Sequence, residues 1–188
     1  MTLPNKLTLL RILMIPIMVI LYFIPFLKEH YVFAGVSILY LIEVIIFALA
    51  SFTDFLDGHI ARSRNLITTF GKFADPLADK MLTFTAMAIF LADGLMPLWV
   101  FVIILVREFM VSGLRMVLAD KQVVIAAAKL GKYKTACTML ALIVMFFSRA
   151  HDVVYIIGQV LIYLACLLTI ISGIEYLYKN RKEIFESM

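Results

Sequence analysis

Six apolar stretches separated by short charged segments leave this chain few folds other than a bundle of membrane-crossing helices. They run over 7–27, 31–53, 73–92, 96–119, 132–148 and 153–178. A span needs about 20 residues to cross ~30 Å of hydrocarbon. The third stretch falls short on apolar residues alone, because Met81–Ala92 is a run of only twelve. At about 1.5 Å per residue that run covers ~18 Å. To cross, its helix has to extend back through Lys80, Asp79 and Asp75, which draws those charges towards membrane depth. With 64% of residues hydrophobic, against about 45–50% in soluble domains, a water-exposed globule is excluded.

The expected architecture is all-α: one polytopic domain over 1–188, with six transmembrane helices and a short N-terminal interfacial helical segment. Leu3–Leu27 has no small-residue cleavage site after it and reads as a retained first helix. Cys137 and Cys166 fall inside apolar stretches and read as small buried hydrophobes, neither a disulfide nor metal ligands.

Basic residues set the orientation. Lys6, Arg11, Arg62, Arg64, Lys72, Lys121, Lys129, Lys132 and Lys134 lie at the N-terminus and in the second and fourth loops. Lys179, Arg181 and Lys182 follow the last span, while the opposite side carries only Lys28 and Arg149. Both termini are therefore expected on the cytoplasmic side of the cell membrane. The net charge of +4 follows from this bias and favours anionic lipid. Because the basic residues are spread over several loops beside spans, no nucleic-acid partner is expected.

Chemistry concentrates in one segment. Asp54-Phe55-Leu56-Asp57-Gly58-His59-Ile60-Ala61-Arg62 is followed, eight residues later, by Gly71-Lys72-Phe73-Ala74-Asp75-Pro76-Leu77-Ala78-Asp79. On a helix continuing the second span, Asp54, Asp57 and Ala61 share one side. On the next helix Gly71, Asp75 and Asp79 recur every four residues. Four aspartates meeting near the membrane surface repel one another unless countered. Hard divalent cations with oxygen ligands supply that counter-charge and leave positions for phosphate oxygens. A solvated helix end, salt-bridged to Arg62, Arg64, Lys72 and Lys80, would account for one such pair but accounts poorly for two pairs in register with small residues on the same stripes. Gly58 and Ala61 leave room for a nucleotide to approach, and Arg62 suits a diphosphate. Pro76 fits a helix that begins only a residue or so earlier. His59 lies off the stripe and takes no role.

This segment resembles the CDP-alcohol phosphatidyltransferase family, whose pattern Asp-x-x-Asp-Gly-x-x-Ala-Arg, eight residues, Gly-x-x-x-Asp-x-x-x-Asp is matched without departure from Asp54 to Asp79. The resemblance implies a six-helix membrane enzyme, often a homodimer, in which an alcohol attacks a CDP-linked phosphate and CMP leaves. It implies that Asp54, Asp57, Asp75 and Asp79 bind Mg²⁺ or Mn²⁺, two ions per site, and that Asp79 also takes the acceptor's proton. Gly58, Ala61, Arg62 and Thr68 resemble the positions that contact CDP-diacylglycerol. Asn5 and Thr8 in Pro4-Asn5-Lys6-Leu7-Thr8-Leu9-Leu10-Arg11 resemble further such positions, or are a polar helix start at the interface.

The acceptor alcohol is read from elsewhere. Thr69–Lys80, Arg107-Glu108 and Gly131-Lys132-Tyr133-Lys134-Thr135 resemble the family members that use glycerol 3-phosphate. An Arg-Glu pair inside an apolar stretch implies a polar cavity. Arg107, Arg115, Lys132 and Lys134 would gather a phosphate dianion, with Glu108 in support. Inositol phosphate is an alternative acceptor that needs the same pocket. A divalent-cation transporter is the alternative from another class, but it calls for acidic residues through the membrane's depth. Glu43, three turns before Asp54 on the same face, is left between a cavity residue and a partner for another helix.

Overall fold

The computed structural model describes residues 3–33, 35–63, 69–120 and 129–181; within these, the side chains of 3, 4, 33, 54–63, 69, 70, 72, 73, 117–120, 129 and 130 lie outside the description. Among the described residues there are six long helices: α1 (Leu3–Tyr22), α3 (Ile38–Ser63), α4 (Thr69–Ala92), α5 (Leu98–Asp120), α6 (Lys129–Phe146) and α7 (Asp152–Lys179). A short helix, α2 (Pro25–Glu29), and a two-stranded antiparallel hairpin, β1 (Tyr31–Phe33) with β2 (Val36–Ser37), link α1 to α3. Helix α1 lies against α3 and α4, α6 runs along α7, and α5 packs on α7.

Three boundaries differ from expectation. The stretch expected as a span from residue 31 begins with the hairpin, so α3 starts at Ile38. Gly35, with φ of +80°, makes the hairpin turn, and a Cβ there would meet the Arg149 carbonyl oxygen at 3.0 Å. The polar N-terminus forms the first turns of α1 rather than a separate interfacial helix. Pro76 sits well inside α4 instead of near its start. Its missing N–H leaves the carbonyl of residue 72 without its usual helical donor.

The backward extension of the third apolar stretch is present as helix: α4 has 24 residues, about 36 Å at 1.5 Å per residue. Its buried stripe is Ala74, Ala78, Leu82, Ala86 and Phe90, and Asp75 and Asp79 stand one position round from the two alanines. Small residues there let neighbouring backbones approach, so the adjacent carboxylates are held close to α1. The far end of α4 closes with a Schellman turn: Leu95 N–H donates to Phe90 O (2.8 Å) and Gly94 N–H to Leu91 O (3.1 Å), with Gly94 at φ +72°. In the middle of the bundle the rings of Tyr40, Phe47, Phe90 and Phe146 tie α3, α4 and α6 together, Phe90 and Phe146 at 4.8 Å between centroids.

Polarity is inverted relative to a water-soluble protein. Arg11, Glu43 and Lys134 are buried, whereas Leu13, Ile17, Ile20, Val106, Val160, Leu164, Leu167 and Ile174 face outward. Such an apolar exterior belongs in lipid rather than in water. Asn5–Tyr22 and Asp152–Lys179 are each long and apolar enough to cross a membrane.

Candidate active site

Side-chain contacts join the start of α1, the start of α4, the second half of α5, the start of α6 and the end of α7 at one end of the bundle. The carboxylate half of the site rests on α3 and α4. Asp54, Asp57, Gly58, Ala61 and Arg62 occupy the last turns of α3, but their side chains lie outside the described residues, and Thr68 lies outside them altogether. Asp75 and Asp79 are half-buried on one face of α4, a turn apart. Thr8 of α1, itself fully buried, donates its hydroxyl to Asp75 Oδ1. That contact brings the N-terminal motif to the carboxylates and fixes the direction of one of them. Asn5 stands one turn earlier, half-buried. Arg11 is fully buried one turn beyond Thr8.

The donor set suits a hard cation. Carboxylate oxygens held by a neighbouring hydroxyl are Mg²⁺- or Mn²⁺-type ligands. Among the described residues no three acidic, histidine or cysteine side chains converge; the side chains of Asp54 and Asp57 lie outside the described residues.

The basic half is a network across four helices. Arg107 Nη1 donates to Glu108 Oε1 at 2.7 Å, and Lys134 of α6 donates to the same oxygen. Arg107 Nη2 reaches Ser172 Oγ of α7 at 2.9 Å. Lys80, next to Asp79, donates to Ser112 Oγ, whose own hydroxyl donates to the Glu108 carbonyl at 2.6 Å. Lys80 therefore joins the carboxylate half to the basic half. Arg115 lies with its guanidinium 5.6 Å from the Tyr176 ring centroid. Lys132, by contrast, is exposed and makes no ion pair among the described residues. Lys80, Arg107, Arg115 and Lys134 against Glu108 and Asp79 leave two positive charges over, a match for a phosphate dianion.

Sequence reasoning missed Lys80 as a member of this network, and missed Ser112, Ser172, Gly173 and Tyr176. Lys80 adjoins Asp79 in the chain, so its place was open to reading. The two serines, the glycine and the tyrosine sit in apolar helices and carry no sequence signal. Glu43 is fully buried, and neither carboxyl oxygen has a hydrogen-bond partner among the described residues. An apolar groove of about 500 Å³ begins at Met81, two residues beyond Asp79, and runs between α1, α4 and α5 past Ile15, Phe84, Phe101 and Phe109.

The opposite end carries a separate polar cluster. Asp93 accepts from Tyr22 (2.8 Å), Lys28 (3.4 Å) and Tyr40, and Arg149 lies over the Tyr40 ring. Both basic residues of that side are thus used to fasten α1, α3 and α4.

An outwardly apolar helical bundle with carboxylates and a net-positive network at one end is the class of a membrane protein suited to handling phosphate. The sequence model of the CDP-alcohol phosphatidyltransferases matches residues 1–171, and this chain belongs to that family. It is 41% identical over 182 residues to the CDP-diacylglycerol--glycerol-3-phosphate 3-phosphatidyltransferase of Bacillus subtilis (strain 168), covering 95% of this chain and 94% of the relative. Identity is 38% over 186 residues to the protein of the same name from Rickettsia typhi, covering 97% and 98%. It is 32% over 188 residues to that of Salmonella choleraesuis, covering 97% of each. The apolar helices and the family together point to a membrane protein.

Proposed function

We propose that this chain transfers the phosphatidyl group of CDP-diacylglycerol to sn-glycerol 3-phosphate, giving phosphatidylglycerol phosphate and CMP. The observation that carries the choice of acceptor is the net-positive network of Lys80, Arg107, Arg115 and Lys134 around Glu108, next to Asp79. A phosphorylated alcohol needs such a pocket; serine or choline does not. The names of the relatives favour glycerol 3-phosphate over inositol phosphate.

Asp54, Asp57, Asp75 and Asp79 are the residues that would hold two Mg²⁺ or Mn²⁺ ions. When bound, those ions supply charge stabilisation to the diphosphate and its leaving group. Asn5, Gly58, Ala61, Arg62 and Thr68 are assigned to the nucleotide, while Thr8 orients Asp75 through its hydroxyl. Arg107, Arg115 and Lys134 hold the acceptor phosphate. Asp79 takes the proton from the attacking hydroxyl as its oxygen bonds to the lipid-linked phosphorus. The bond from that phosphorus to the CMP oxygen breaks, and CMP departs with the electron pair. The groove beginning at Met81 gives an acyl chain of the lipid an apolar course away from Asp79.

Six membrane-crossing helices with both termini on the cytoplasmic side accord with six long helices among the described residues and with the basic residues at the site end. Residues 1–188 act as one domain, in a homodimer. The test is purified protein in vesicles with CDP-diacylglycerol and labelled glycerol 3-phosphate, inositol phosphate, serine or glycerol in turn. CMP release and lipid product with glycerol 3-phosphate alone are expected; no product with it overturns the assignment.

A further inference from the structure

Arg107 is a long side chain on α5, yet α7 fixes where its guanidinium stands. Its Nη2 donates to Ser172 Oγ at 2.9 Å, and Ser172 Oγ in turn donates to the Thr169 carbonyl at 3.1 Å. The serine hydroxyl is thus turned so that its lone pairs face the arginine. The aliphatic stem lies across Gly173: a Cβ there would come within 3.0 Å of Arg107 Cγ and 3.4 Å of Nε. Both α7 residues are buried. On the other side Nη1 is held by Glu108 at 2.7 Å, while the buried Nε has no acceptor among the described residues. The pose therefore does not satisfy the arginine fully by itself; it depends on the hydroxyl and on the missing side chain of α7.

We propose that the Ser172–Gly173 step of α7 is a seat that positions Arg107 for the acceptor's phosphate, which makes α7 a determinant of selectivity for a phosphorylated alcohol. This rests on the reading of glycerol 3-phosphate as acceptor. Without the seat the guanidinium samples other rotamers, and the phosphate loses a preorganised donor pair. The nucleotide, held at the opposite half of the site by α1, α3 and α4, is unaffected.

The full-length protein in vesicles tests this by steady-state kinetics with each substrate varied in turn. Ser172→Ala and Gly173→Ala should each raise KM for glycerol 3-phosphate by about tenfold, equivalent to about 1.4 kcal/mol, with KM for CDP-diacylglycerol unchanged. Gly158→Ala is the packing control on the same helix. Its Cβ would meet the Sδ of Met145, far from Arg107, and it should leave KM for glycerol 3-phosphate unchanged. An unchanged KM in both seat variants overturns the proposal, as does a parallel rise for both substrates or an equal rise in Gly158→Ala. A wild-type protein that makes no product from glycerol 3-phosphate would instead overturn the acceptor assignment. An active wild type with unaffected variants would remove the seat alone.

Discussion

Glu108→Gln perturbs the basic network at its one internal anion. Glu108 Oε1 accepts from both Arg107 and Lys134, so the two cations stand within ~5 Å of each other, each hydrogen-bonded to one oxygen. At that separation and an effective dielectric constant of about 20, their repulsion is about 3 kcal/mol. Side-chain exposures of 13%, 13% and 9% for Arg107, Glu108 and Lys134 leave little solvent to screen it. Glutamine keeps an acceptor oxygen but removes the charge, so the repulsion is uncompensated. The expected loss is about 3 kcal/mol, at the lower edge of the range for breaking a buried ion pair. For a chain of this size that is a fall in apparent Tm of about 6–12 °C, read at a fixed scan rate in one detergent. Glycerol 3-phosphate brings back negative charge and should therefore raise the Tm of Glu108→Gln by more than that of the wild type. An unchanged Tm, or equal stabilisation of both proteins by the ligand, would refute the reasoning.

Three further outcomes are expected. Asp79→Asn should abolish turnover while CDP-diacylglycerol still binds, whereas Asp75→Asn should weaken divalent-metal binding itself; near-normal turnover in Asp79→Asn would remove the base assignment. Thr8→Val keeps the shape but deletes the donor to Asp75, so the Mg²⁺ concentration for half-maximal activity should rise by about tenfold, as for other residues that orient a metal ligand; an unchanged Mg²⁺ dependence would count against that role. Asp93→Asn removes the charge shared by Tyr22, Tyr40 and Lys28 at the far end. It should cost about 2 kcal/mol and lower Tm by about 4–8 °C, with both KM values intact; a shift in either KM would show that the two ends of the bundle are coupled.

Within α4 the carboxylate pair was legible in the chain, because helical periodicity sets Asp75 and Asp79 a turn apart on one face. Asp54 and Asp57 fall on the last turns of α3, with their side chains outside the described residues. Run length against membrane thickness exposed the third apolar stretch as too short, and α4 does extend back through Lys80 to Thr69. The basic half was legible only as a set of charges in apolar surroundings. Which of them meet was decided by packing: Lys134 turns inward to Glu108, whereas Lys132, two residues before it on α6, faces outward. Arg11 counts in the sequence as one basic residue of the cytoplasmic side, and its burial is decided by the packing of α1 against α3 and α4. Serine and glycine inside an apolar helix look like packing residues wherever they occur. Only the crossing of α5 on α7 sets Ser172 and Gly173 beneath Arg107. Spacing along one helix is a local property that the sequence carries by itself, whereas contact between residues 65 positions apart exists only once the helices have docked.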